Sequence, residues 1–363
     1  MFLMLKDLPI LQMNPDEFEF TVYREELLPY DLKNRFVPVP PDTISTYKAH
    51  IRAVERNIRY VQDFLMQRVL PLSRANAKKI YNLYGDNQEN KLRISLMCRA
   101  VSLLDNYWVK LCGDTITWRD VSIRDNHLNE VFTQVALRGS SLSLTGSLTS
   151  PETTTNGTYT KGWKREDGDL FLYKKGPESR IEVMVSKLLD KLNIPHLAYT
   201  DAVDDGVYCC KCKCMSSENL SIVDALTAES WFNRKGESFI PYIKKHFADD
   251  LYRMWITDYL TANPDRHGQN WGFFFDANTT EILGLHFLFD HNNAFDTAYM
   301  KDPDASYIAM SDMTMRQAAM YAAKRVKVEY TIPFQPSDFI TERQYQCFTS
   351  RLKDLGIRRK QEP

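Results

Sequence analysis

No apolar run in this 363-residue sequence approaches the roughly eighteen residues that a membrane-crossing helix needs. The opening stretch, "MFLMLKDLPILQMN", is broken at Lys6 and Asp7 before the core of a secretion signal can form. A soluble, unsecreted, cytoplasmic protein is the expectation. Charge of one sign is missing as well: 46 Lys and Arg stand against 47 Asp and Glu, a formal net charge of -1. No global field gathers nucleic acid or an anionic membrane, so no direct partnership with either is expected. There is neither a Walker sequence nor a GxGxxG loop. Cysteine occurs seven times, and four fall in "YCCKCKCM" (Cys209, Cys210, Cys212, Cys214). That run lacks the second ligand pair and the gaps of roughly two to four residues found in zinc knuckles. Cys210, Cys212 and Cys214 alternate and would share one strand face, so the cluster reads as small apolar strand residues.

What is present describes an ordinary folded chain, 44% hydrophobic and 26% charged, long enough for two or three lobes. From Asp42 to Leu70, the residues Ile44, Tyr47, Ile51, Val54, Ile58, Val61 and Leu65 recur at three- and four-residue steps, the period of one helix face. Residues 1–135 are expected to form an independently folded, mostly helical domain without a catalytic cluster. Next comes a hydroxyl-rich stretch in which twelve of the residues from Ser140 to Thr160 are Ser or Thr. It leads into "DLFLYKK", a strand pattern carrying Lys174 and Lys175. "RIEVMVSKLLDKLNIPH" follows, a helical stripe with Glu182 in its first turn. A glycine-containing loop feeding a lysine-bearing strand is how several folds hold nucleotide phosphates, and a strand lysine followed by a helix glutamate is the order in which protein kinases build their ion pair.

Phe239–Leu260 has helical periodicity and ends before Asn263-Pro264. The polar run "NPDRHGQN" comes next, then "WGFFFD", a turn, and "ILGLHFLFD", the pattern of a hairpin. Its two ends must meet, which makes Asn270 at the entry and Asp290 at the exit neighbours, with Asp265 just upstream. Carboxylate and amide oxygens converging in this way suit magnesium.

On "NPDRHGQN", "FLYKKG", "IEVMVS" and Asp290 the sequence resembles the HipA-like serine/threonine kinases, notably a Gram-positive branch with an N-terminal helical region and the motif N-x-D-R-H-x-x-N. The resemblance runs from about Leu103 to Asp290 and includes "LLDNYWVK", "TWRDVS" and "SPETTTNGTYTKGWK". It implies an α+β, two-lobed protein-kinase-like fold: an N-lobe over residues 136–215 and a helical C-lobe over residues 216–363, preceded by the helical 1–135 domain. It also implies ATP and Mg2+ as cofactors and a catalytic set of Asp265, His267, Lys174 and Glu182. Asp265 would act as base, His267 as a structural loop residue and Glu182 as the partner of Lys174. Nucleotide phosphates would contact Gly157, Thr158, Lys161 and Lys174, and magnesium would bind Asn270 and Asp290. A protein substrate is implied, with self-phosphorylation in the Ser140–Thr160 loop. An antitoxin or other regulatory protein binding through residues 1–135 is the partner left open, although the first 100 residues do not look like the small β-rich subdomain by which many HipA-like toxins join their antitoxin. Two positions depart from the pattern: Ile181 precedes Glu182 where relatives often have asparagine, and "DHNNAF" puts bulky polar groups after Asp290. Phosphoinositide kinases share D-R-H-x-x-N, so a lipid or small-molecule alcohol kinase, or a degenerate kinase-fold scaffold, are the competing readings.

Overall fold

The structure, a computed structural model, describes residues 1–85 and 90–360. It opens on strands: β1 (Phe2–Leu5), β2 (Leu8–Asn14) and β3 (Glu19–Val22). Two apolar runs fold back about the polar pair Lys6-Asp7, with Lys6 in the left-handed region at φ 50. This corrects the expectation of a helical start without a β-rich subdomain. The turn lacks the Asn-Gly or Asp-Gly pair that announces a hairpin, which is why the pattern is weak in the sequence.

Helix α1 (Tyr47–Gln67) lays Val54, Ile58, Val61 and Leu65 against Leu3, Leu5, Ile10 and Leu11 of that sheet. Ile44 and Tyr47 do not belong to the buried stripe. Residues 43–46 form a turn closed by Thr46 N to Thr43 O (3.1 Å) and by the Thr43 and Thr46 hydroxyls (2.6 Å), so the helix starts late and Ile44 is fully exposed. Helices α2 (Ala77–Leu83) and α3 (Lys91–Met97) follow, then β4 (Tyr107–Lys110), which pairs antiparallel with β1 to give the order β3-β2-β1-β4. Two short helices, α4 (Trp118–Val121) and α5 (Glu130–Arg138), lead to the hydroxyl-rich segment.

The next lobe is an antiparallel sheet ordered β5-β6-β8-β7, from β5 (Lys161–Glu166), β6 (Asp169–Lys175), β7 (Tyr199–Asp204) and β8 (Val207–Lys213). Its helix, α6 (Ser179–Lys191), packs Val183 on Tyr199, Cys210 and Cys212, while Cys209 faces Leu137 and Tyr173 on the opposite side. The cysteines of β8 are thus core residues on both faces.

The last lobe contains β9 (Leu220–Asp224), α7 (Ala225–Lys235), α8 (Phe239–His246), α9 (Ala248–Leu260), β10 (Gly272–Asp276) and β11 (Ile282–Leu285). The remainder is α10 (Thr297–Lys301), β12 (Ser306–Tyr307), β13 (Met310–Thr314), α11 (Met315–Ala323) and α12 (Glu342–Asp354). The expected helix over 239–260 is two helices, because Phe247 leaves helical geometry (φ -139) and packs its ring against Tyr242 and Phe273. The expected hairpin forms and gains β9 as a third strand, in the order β11-β10-β9, but its second strand stops at Leu285 instead of running to Asp290. A small sheet with one helix beside a helical lobe is a two-lobed, kinase-like α+β arrangement.

Candidate active site

Lys174 is the penultimate residue of β6 and is buried, and Glu182 lies on the first turns of α6, opposite it. The Lys174 ammonium is 2.6 Å from Glu182 Oε1 and 2.8 Å from Asp290 Oδ1. Burial works against the ammonium, but the Asp290 and Glu182 carboxylates outweigh it and hold its pKa well above the ordinary value. Asp290 is driven far down in turn: burial opposes ionisation, and Lys174 and Lys161 overcome it. The second Glu182 oxygen accepts from the backbone N–H of His291 (3.1 Å), so one carboxylate fixes both the lysine and the backbone just past Asp290. Asp290 itself adopts a left-handed conformation, φ 58, which aims its side chain away from the strand direction into the cluster.

The "NPDRHGQN" loop is held from inside by Arg266, a fully buried side chain. Its guanidinium pairs with buried Asp258 of α9 (Nη2 to Oδ1, 2.9 Å; Nε to Oδ2, 3.0 Å). Nη1 donates to the carbonyls of Asn270 (2.7 Å) and Phe289 (2.9 Å). That fork ties the loop just before β10 to the segment just before Asp290, four residues past the end of β11, and so brings the surroundings of Asn270 and Asp290 together. His291 Nε2 lies 3.0 Å from Nη2, and the Tyr307 hydroxyl donates to Asp258 (2.7 Å). His291 is kept neutral, with its pKa well below the ordinary value, by burial and by the neighbouring Arg266 charge.

Asp265 faces the space in front of this frame. Its Oδ2 accepts from Asn293 Nδ2 (2.8 Å), and its backbone carbonyl accepts from Asn270 Nδ2 (2.7 Å). Asn270 thereby spends its amide nitrogen on the loop and leaves its side-chain oxygen for another ligand. His267 sits at the rim, with Nε2 3.7 Å from Asp265 Oδ1 and Nδ1 accepting from Gln269 N.

The phosphate-loop candidates lie across from it. Gly157 has φ +98, and a Cβ there would sit 2.2 Å from Lys161 Nζ, so glycine is required by both backbone and space. Lys161 begins β5 opposite Lys174 of β6 and is 6% exposed. Burial, then the Lys174 charge, brings its ammonium down to about 8. A buried ammonium beside a second lysine favours an anion. The Thr158 carbonyl accepts from Ala75 N (2.9 Å), and Tyr159 OH lies 3.5 Å from Asn293 Oδ1, linking this loop to the residue that holds Asp265.

Comparison with solved structures finds a set of similar chains, two of which follow. One is HipA of Shewanella oneidensis MR-1, from a toxin–antitoxin complex of HipA, HipB and operator DNA: TM-score 0.49, 14% identity, over 98% of this chain and 97% of that one. The other is the Helicobacter pylori proinflammatory kinase CtkA: TM-score 0.39, 16% identity, over 54% of this chain and 89% of that one. No family model and no curated protein matches the sequence.

Every residue singled out in the sequence thus lies on one of three facing pieces: the Lys174–Glu182–Asp290 cluster, the Asp265–Asn270 loop and the Gly157–Lys161 loop. Four residues escaped sequence reasoning. Asp258 carried a signal, being a charged residue on the buried face of an amphipathic helix. Asn293 and His291 lay in the noted "DHNNAF" departure. Arg74, which binds the phosphate-loop backbone, carried none.

Proposed function

We propose that the protein is a magnesium-dependent protein kinase that transfers the γ-phosphoryl group of ATP to serine or threonine hydroxyls. The observation that carries this reading is the buried Lys174 ammonium held between Glu182 and Asp290. A lysine so placed is held toward its charged form by the two carboxylates and is the residue that would contact nucleotide phosphates.

The residues fit Mg-ATP. Lys161 offers a buried ammonium seated against Gly157, where any side chain would displace it, and Asp290 and Asn270 offer the hard oxygens that magnesium takes together with phosphate and water. Bound magnesium supplies charge neutralisation at the transferring phosphoryl group. Asp265, oriented by Asn293, accepts the proton of the incoming hydroxyl as the new O–P bond forms and the bond to ADP breaks. Lys174 and Lys161 stabilise the charge accumulating on the leaving phosphates.

Self-phosphorylation within Ser140–Thr160 belongs to the same reading. Ser150, Thr153 and Thr154 are buried in the closed loop, and Thr153 shares a hydrogen bond with Tyr84 OH (2.7 Å). A phosphate of about -1.5 to -2 charge on any of them would not fit and would force the loop open.

The test is incubation of purified protein with labelled ATP and Mg2+, alone and with cell extract, beside Asp265→Ala. Label in protein from the wild type and none from the variant is the expected result. Label only in lipid or small alcohols would replace the acceptor class, and a folded wild type that neither binds nor uses ATP would overturn the reading.

A further inference from the structure

Arg74 lies between α1 and α2, remote in sequence from the phosphate loop, yet its guanidinium spans that loop and is 2% exposed. Nη1 donates to the carbonyls of Glu152 (2.6 Å) and Thr155 (2.8 Å), and Nη2 donates to the carbonyl of Lys161 (2.7 Å). One planar fork therefore holds both ends of the 152–161 segment. The turn around it adds backbone bonds, Leu70 N to Thr153 O (2.7 Å) and Ala75 N to Thr158 O (2.9 Å). None of the three side-chain bonds goes to a carboxylate, and Nε is buried without a partner.

Burying a guanidinium on neutral carbonyls is a costly way to fill space, and an apolar side chain would pack there at less expense in desolvation. The arrangement makes sense for what it fixes. Holding Glu152, Thr155 and Lys161 at set distances seats the Lys161 ammonium against Gly157, ready for phosphate oxygens. Arg74 also adds a positive charge behind the loop, one of the charges that Lys161 feels. A lysine could supply that charge but not the fork.

We infer that Arg74 is a positioning residue for the phosphate loop, through which the turn between α1 and α2 sets the affinity of the site for nucleotide phosphates. The nucleotide part of this inference rests on the kinase reading above; the loop-holding part does not.

The experiment uses the full chain as wild type, Arg74→Gln and Arg74→Lys. Each is assayed for KM and kcat with Mg-ATP and, without nucleotide, for backbone amide exchange across residues 150–161. Arg74→Gln is expected to raise KM roughly tenfold or more and to lower kcat by a smaller factor, because Asp265, Asn270 and Asp290 lie outside the loop whereas Lys161 stands at its end. Loop exchange should rise in the same variant, and Arg74→Lys should fall between it and wild type in both readouts. A folded Arg74→Gln with wild-type loop exchange and KM overturns the inference, as does a loss confined to kcat or full restoration by lysine. Should Arg74→Gln lose its cooperative melting transition, Arg74→Lys carries both measurements, with wild-type values overturning the inference. If the wild type neither binds nor uses ATP, the kinase reading fails, and amide exchange still decides whether Arg74 holds the loop.

Discussion

Two carboxylates of the site sit in different surroundings. Asp290 is locked to Lys174 at 2.8 Å, whereas Asp265 accepts one neutral amide hydrogen bond and keeps a third of its side chain open. In the proposed reading the partly open, weakly held Asp265 is the base. Asp265→Ala should therefore melt like the wild type and lose about 10²–10⁴ in phosphoryl-transfer rate, measured by label incorporation. Lys161 gives a pH signature. Its ammonium, brought to about 8 by burial and by Lys174, is charged below that pH and neutral above it in the nucleotide-free protein. KM for ATP should climb as pH rises through about 8, and the climb should vanish in Lys161→Met. The stability linkage of this one group runs the other way. Between about 8 and the ordinary value of 10.5 the unfolded chain binds more protons than the folded one, so its contribution to stability rises with pH. At this scale the sequence was most legible where chemistry demands fixed residue types at short spacing, as in Asp265 and Asn270. It was least legible at Arg74, whose hydrogen bonds all go to backbone carbonyls and so leave no complementary side chain to notice.

The elements that carry these residues were readable where one side of them faces a single core. The stripe Val54, Ile58, Val61, Leu65 and the β10–β11 hairpin both follow from period alone. Period failed at Phe247, where a ring packing on Phe273 outweighs helix continuation, and in the first 22 residues, where a turn without glycine or asparagine joins two strands. The "NPDRHGQN" loop depends on a contact between elements that no single-element pattern contains: Arg266 of the loop on Asp258 of α9, both side chains with no exposure. Removing the carboxylate strands a guanidinium in the core. Asp258→Ala should cost about 3–5 kcal/mol in chemical denaturation, and Tyr307→Phe, which deletes one hydrogen bond to the same carboxylate, about 1–3 kcal/mol. A loss below about 1 kcal/mol for Asp258→Ala would show that the pair does not hold the loop.

Across the whole molecule, the expected division into a free-standing N-terminal domain and a kinase body meets a chain that is interlocked. Tyr30 sits in the core cluster of the last lobe with its ring against Trp231 and Phe275 and its hydroxyl donating to Thr280 O (2.5 Å). Arg234 returns the contact by donating to the carbonyls of Lys33 and Tyr30. Trp108 and Trp118 share a buried cluster with Trp163 and Leu170 of the sheet that carries Lys174, and Leu104 O accepts from Ile222 N at the edge of β9 (2.8 Å). Residues 1–135 therefore contribute side chains to cores that the other two lobes cannot close alone. Sequence pattern cannot reveal this, because an apolar stripe shows that a face is buried without showing which segment buries it. Deleting residues 1–135 should leave large apolar patches around Trp163, Trp231 and Phe275 and remove Arg74 from behind the phosphate loop. The remaining chain is expected to be recovered only as aggregates, or as a species without a cooperative melting transition, and to transfer no label from ATP. A soluble 136–363 fragment with a sharp transition and wild-type turnover would instead mean that the N-terminal region is a separable attachment, and that the contacts through Tyr30, Trp118 and Arg74 contribute little to the kinase-like body.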